Sequence, residues 1–409
     1  MESQHILPII LALIPLALGI VWIVAQISFS TLKSIGLTTI LVLGILLFTT
    51  LDLDSTISFL AFAVLLSSFC SMLCQKETEQ ASAICSSGMI ALGLALGVLF
   101  SQGIVSRLFL SGLLGYVAFS LNRQKQGFLR TILTFIHFGV AVVLSLISAI
   151  GGETLQMFSG LFLAVTFLPL VPFHLPFVST VGSAKETLSS FWVVVWLAIG
   201  LAELNMIYSS LSSEMLSVLS SLALVSAFYA SLAALGQRQC NLFVASATVA
   251  QVSLIWGLLN VFPKFPEWGI AFGVAVAFVF GGICLAFSFV QQRYGWQIIG
   301  KLPGLGKPMP RFGSAMGFLV SFSLFLPFFP TISGLPIMLT GATNDLNFIK
   351  IFFIFLSVWL LGGWYLLQAF HQTAFGRERT EVSYTDLRAT EYAAVAMLLL
   401  GATYSGLIY

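Results

Sequence analysis

The sequence predicts an all-α polytopic membrane protein of about fourteen transmembrane helices, and three observations predict it. The 409 residues are 58% hydrophobic and only 8% charged, with a mean hydropathy of +1.04. A water-facing surface around a core of this size needs far more charge, so lipid is the solvent for most of the chain. The apolar residues come in runs of roughly 17–25, the helix-spanning length, rather than in the alternating ten-residue segments of a membrane barrel. Inside lipid the backbone has to satisfy itself, which leaves helices as the solution for such runs. The third observation is that lysine and arginine fall on alternate connections.

In order, the spans are expected near 6–28, 32–51, 56–74, 82–101, 104–121, 128–149, 155–172, 186–208, 213–235, 240–260, 268–290, 313–342, 348–372 and 390–408. The first begins in MESQHILPIILAL, which lacks the basic n-region of a cleaved signal and reads as a span. Prolines interrupt the seventh, at Pro169, Pro172 and Pro176, and the twelfth, at Pro327, Pro330 and Pro336. The longest polar connections, 292–311 and 373–389, leave no room for a soluble domain. Numbering the connections alternately, one side collects Lys33, Lys76, Arg123, Lys125, Arg130, Lys185, Arg238, Arg293, Lys301, Lys307, Arg311, Arg377, Arg379 and Arg388. The other side receives Arg107, Lys264 and Lys350. By the positive-inside rule the cationic side is cytoplasmic, which puts both termini on the outer side of an inner (cytoplasmic) membrane.

Elsewhere the chain is poor in reactive chemistry. Cys70 and Cys74 are spaced i, i+4 but have no nearby histidine or further cysteine, and with Cys85, Cys240 and Cys284 they read as small packing residues. The glycines of KLPGLG (301–306) lack the preceding strand and the Lys-Ser/Thr ending of a phosphate cradle, so a turn is expected there. RERTEVSYTDLR (377–388) mixes signs and reads as a solvated loop able to dock a partner. No cofactor or metal is expected, no nucleic acid is expected as a partner, and the chain by itself is not expected to catalyse a reaction.

Four stretches carry a family resemblance. They are LPLVPFH (168–174), GQRQCNLFVASATVAQVSLIWGLL (236–259), GKPMPRFGSAMGFLVSFSLFLPFFPTISGLP (306–336) and YLLQAFHQTAFG (365–376). In order and spacing they resemble the antiporter-like membrane subunits of respiratory complex I and of Mrp-type cation/proton antiporters. The resemblance implies one membrane domain over 1–409, built from two inverted five-helix repeats with broken helices near 167–177 and 327–338. The N-terminal helices would occupy 1–103, the first repeat 104–235, the second 240–372, and a cytoplasmic loop with the last helix 373–409. A proline break fits such a design, because freed carbonyls are tolerated where they line protein or a polar cavity.

The family's ion wire is a set of buried glutamate and lysine side chains, costly in lipid and therefore functional where present. Carried over motif by motif, those positions fall at Leu113, at Phe167 (or Thr166 with a one-residue gap), near Leu197, at Asn241 and near Met338, and the family's histidine falls at Gln251. All are neutral here. The remaining candidates for an ion path or for supporting the helix break are His137, His174, Glu203, Gln251 and His371. His174 suits either a polar cap for carbonyls freed by the break or an ion path, and His137 and Glu203 suit either buried structural roles or a rearranged wire.

The resemblance thus implies a membrane subunit of a larger proton- or cation-translocating complex, with a degenerate ion path and a structural or docking role. Its partners would be other membrane subunits, lipid and a cytoplasmic peripheral subunit. An active subunit with a rearranged wire is one alternative. Another is the membrane half of an inorganic-carbon (bicarbonate/CO2) transporter paired with a cytoplasmic zinc protein.

Overall fold

The computed structural model describes residues 2–25, 27–49, 55–122, 128–260, 265–328 and 346–408. Among them α-helices follow one another with short connections: α1 (Glu2–Ala25), α2 (Phe29–Thr49), α3 (Ser55–Cys74), α4 (Ala81–Phe100), α5 (Gly103–Asn122), α6 (Phe128–Ile150), α7 (Glu153–Phe167), α8 (Leu175–Ser183), α9 (Leu188–Ile207), α10 (Ser213–Gly236), α11 (Cys240–Leu258), α12 (Phe265–Tyr294), α13 (Pro310–Phe325), α14 (Leu346–Leu356), α15 (Gly362–Ala374) and α16 (Ala389–Ile408). Twelve helical segments among the described residues are long and apolar enough to cross a membrane, with α14 and α15 counted together, and α7 is a shorter apolar helix. The chain is a multi-pass α-helical membrane protein.

The seventh expected span is two pieces. At about 1.5 Å per residue, α7 reaches about 22 Å and α8 about 14 Å, each short of the roughly 30 Å of a hydrocarbon core. The prolines between them set the gap. Leu168–His174 carries Pro169 and Pro172, and α8 resumes with Pro176 in its first turn, where a missing N–H costs nothing. The second expected break is described as far as a 3-10 turn at Leu326–Phe328. Pro330, Pro336 and Met338 lie outside the described residues.

The chain forms two compact units. The first comprises Met1–Phe167 and Leu175–Ser209. At its centre is α9, apolar all round and buried along nearly its whole length, with α3, α4, α7 and α8 packed on it. Helices α1, α2, α5 and α6 lie outside and turn Ile23, Val24, Ile45, Phe48, Ile136 and Ile150 outward, as lipid-facing surfaces should. Small residues set how closely α1 meets α4. A Cβ on Gly93 would stand 2.6 Å from the Leu16 nitrogen and 2.9 Å from the Ala12 oxygen. Without a hydrophobic drive between helices in lipid, such backbone-to-backbone packing is the main source of attraction.

The second unit comprises Leu168–His174 and Ser210–Tyr409. Helix α12 is its core element; it is apolar and buried from Ile270 to Val290, with α11, α13 and α16 packed on it. A π-helical turn, Ser357–Leu361, joins α14 to α15. KLPGLG forms a turn in which Gly304 has φ +73°. Its backbone runs against the end of α15, with Gly304 N–H donating to Phe375 O (3.0 Å) and Gly306 N–H to Ala374 O (2.9 Å). The segment after α15 is fastened to the same unit. Asp386 accepts from the Arg311 and Phe312 N–H groups at the start of α13 (3.0 and 3.2 Å). An anion there satisfies orphan donors and meets the positive end of the helix dipole. Arg293, at the end of α12, pairs with buried Glu391 and donates to Asp386 O (3.2 Å). RERTEVSYTDLR is therefore anchored by its acidic end while Arg377, Arg379, Glu381 and Arg388 face outward.

Candidate functional site

The candidate site is the place where the family's ion wire would run, taken unit by unit. In the first unit the carried-over positions are packed. Leu113 on α5, Phe167 at the end of α7 and Leu197 on α9 are each fully buried. The Phe167 ring lies 4.9 Å from that of Trp196. Trp196 also donates its indole N–H to the Thr166 carbonyl (3.0 Å), one of those freed where α7 stops. Thr166, the alternative position for the seventh-span lysine, is buried and donates its hydroxyl proton to Phe162 O (2.8 Å). With that proton engaged, its oxygen accepts from His137 Nε2, 2.8 Å away. The His137 ring lies 5.1 Å from that of Phe162. One turn before His137 on α6, Thr134 shares a hydrogen bond with Ser179 of α8 (3.2 Å). The arrangement is two hydroxyl-containing pairs, one of which includes the imidazole.

Glu203 is on α9, buried to 1%, and its Oε1 accepts from Arg107 on α5 at 2.6 Å. Its second oxygen has no hydrogen-bond partner among the described residues. Sequence reasoning singled out Glu203 and placed Arg107 on the sparsely charged side, but did not bring the two together; they are 96 residues apart. At the opposite ends of the helices, Gln75 is a buried hub. Its carbonyl accepts from Lys33 (2.8 Å), its side-chain N–H donates to Glu186, and its side-chain oxygen accepts from Thr187 (2.8 Å).

In the second unit, Asn241 lies in the first turn of α11 and is buried. Gln251, nearly three turns further on, is 1% exposed, and its side-chain oxygen has no partner among the described residues. Tyr365 of α15 lies beside it: a Cβ on Gly362 would stand 3.6 Å from Tyr365 Oη and 3.7 Å from Gln251 Nε2. Gly362 follows the π-turn, a feature often found where a helix is reshaped around a polar site. His174 closes the break with its ring 5.4 Å from Tyr229, edge to face. In the same segment Leu168 O accepts from the Trp256 indole (3.1 Å) and Val171 N–H donates to Ser226 Oγ (3.3 Å). His371 is exposed and stacks on Phe375 at 5.7 Å.

The structure brings His137 to Thr166 and Gln251 to Tyr365, while His371 lies apart on the surface. The residues that sequence reasoning missed are Arg107, Trp196 and Trp256. The signal for the tryptophans was present, since a buried indole needs an acceptor and a proline break supplies free carbonyls. Among the described residues no three His, Cys, Asp or Glu side chains converge as a metal site would require.

No protein-family model and no curated protein sequence matches this chain. Solved structures do. A chain of respiratory complex I from Thermus thermophilus with bound NADH superposes with a TM-score of 0.76 at 17% identity, covering 96% of this chain and 94% of that one. A chain of the membrane-bound sulfane sulfur reductase, an archaeal respiratory membrane complex, gives 0.77 at 15% identity, covering 95% and 74%. A chain of the Mrp complex from Dietzia sp. DQ12-45-1b gives 0.74 at 13%, covering 93% and 82%. The chain therefore has the fold of the antiporter-like membrane subunits that its sequence motifs resemble.

Proposed function

We propose that this chain is an antiporter-like membrane subunit of a multi-subunit cation-translocating complex and that it serves as a structural and docking member. In this reading its own ion route has degenerated. The observation that supports the proposal is that Leu113, Phe167 and Leu197, the residues to which the family's acidic and lysine positions carry over, have no exposed surface. A lysine or glutamate there would need water or a partner, whereas these apolar side chains need neither. The buried carboxylate of the first unit is engaged by Arg107. The second unit offers Gln251 and Tyr365 in place of an ionisable pair. The expected inverted repeats, 104–235 and 240–372, suit the same proposal, since a frame built to hold a wire keeps its shape after the charges are replaced.

The test is ion flux in the complex captured with this chain in mild detergent and reconstituted in vesicles. Glu203→Gln and His137→Leu should leave flux per complex unchanged, and a complex lacking this chain should fail to assemble. Flux abolished by either substitution in an assembled complex would overturn the proposal. It would support the active alternative, for which the His137–Thr166 and Thr134–Ser179 bonds are the favouring observation. The masses of the co-purifying chains decide the parent: redox or antiporter subunits support the proposal, and a lone zinc protein favours inorganic-carbon uptake.

A further inference from the structure

A groove of ≈ 370 Å³ opens in the first unit among the ends of α1, α4, α5, α8 and α9. It lies at one membrane surface, because α1 stops at Ala25, α5 at Asn122 and α8 at Ser183, while α4 starts at Ala81 and α9 at Leu188. Its volume falls in the roughly 300–1,000 Å³ range of small-molecule sites. Its lining is mixed. Lys185, in the turn between α8 and α9, is exposed at the mouth and is the one charged residue among the described residues of the lining. One of its N–H groups donates to Gln80 Oε1 at 2.7 Å, which steadies the ammonium and leaves two donors free. Tyr116 O–H donates to Ser87 Oγ at 2.6 Å, so the Ser87 proton is available to an acceptor. Beside these the wall is apolar, with Ile84 and Trp192 buried and Ile23 and Phe119 exposed at its edge.

We infer that this groove is a binding site for an anionic glycerophospholipid. The headgroup phosphate would sit on Lys185, an ester carbonyl would accept from Ser87, and the acyl chains would run along the apolar wall into the bilayer. A cation, a hydroxyl and an apolar wall in one groove match the three kinds of group that such a lipid carries. A cation at the mouth selects an anionic headgroup over a zwitterionic one. A transmembrane helix of a partner protein would bring apolar surface against the ammonium and the hydroxyl pair, which the site does not favour. The inference is independent of whether any ion crosses this chain.

The test is native mass spectrometry of the full-length chain released from detergent with added phosphatidylglycerol or phosphatidylcholine. One phosphatidylglycerol should be retained per wild-type chain. Lys185→Gln, at an exposed position that does not endanger folding, should weaken retention by about fivefold. Ser120→Phe, which fills the groove, should abolish it. Equal retention by wild type and both variants, or phosphatidylcholine held as firmly as phosphatidylglycerol, would overturn the assignment. So would a photo-reactive side chain at Phe119 that labels a polypeptide in native membranes instead of lipid.

Discussion

Arg107 and Glu203 form the charged contact whose removal should be felt most in the first unit. The carboxylate is 1% exposed, the guanidinium 13%, and they meet at 2.6 Å. Removing one member of a buried pair leaves the other desolvated and costs about 3–5 kcal/mol. With an unfolding entropy of about 2 cal/mol/K per residue, that cost lowers Tm by about 3–6 °C for a chain of 409 residues. Arg107→Ala should reach this range, because Glu203 already has one oxygen without a partner among the described residues and would then have two. Glu203→Gln should cost less, since an amide oxygen still accepts from the guanidinium. The double variant Arg107→Leu, Glu203→Leu should lie well short of the sum of the two single leucine variants, because an apolar pair removes both desolvated charges at once. The assay is thermal unfolding in detergent, followed by intrinsic tryptophan fluorescence, over the full cycle. Single variants within 1 °C of wild type, or strict additivity in the double variant, would mean that the two charges are separately hydrated and would refute the reasoning.

Three further outcomes are expected. Phe167→Ala should cost about 3–5 kcal/mol, as an aromatic lost from a fully buried site against Trp196 does, and should appear in the same thermal assay. Asp386→Ala should loosen the segment after α15 by about 1–2 kcal/mol, seen as tryptic cleavage at Arg377 and Arg379 rising about 5–30-fold with the rest of the chain intact. Gly93→Val should destabilise by about 1–3 kcal/mol, because the added atoms meet α1 backbone, whereas Gly44→Val should change nothing, since a Cβ there has no neighbour within 4 Å.

The fold was legible because it is written in hydrophobic length and cationic loops, signals that average over many residues and survive local errors. The break in the seventh span was legible from Pro169, Pro172 and Pro176, since proline acts on the backbone whatever surrounds it. The second half of that span, α8, was not placed as a helix: nine residues beginning with Leu-Pro carry too little periodicity to read alone. Of the candidate site, the burial of Leu113, Phe167 and Leu197 was legible, because apolar side chains counted within spans pack inward. What could not be read was pairing. Arg107 finds Glu203, and Gln251 finds Tyr365, through helix packing that brings together residues about a hundred apart. The segment 377–388 likewise read as solvated, and nothing in its own composition told that Asp386 would seat on the first turn of a helix some 75 residues upstream.

The proline break also sets a schedule for synthesis. Two of its backbone groups, Val171 N–H and the Leu168 carbonyl, find their partners in Ser226 and Trp256, which are 55 and 88 residues downstream. At roughly 5–20 residues per second, a ribosome needs about 4–18 s to deliver the second of these. Throughout that interval the half-finished chain holds polar backbone that lipid cannot satisfy. The nascent protein therefore has reason to keep this segment inside the insertion machinery, or beside water, until α11 emerges. A chain stopped short of Trp256 should be a substrate for membrane quality control, while one stopped just past it should not.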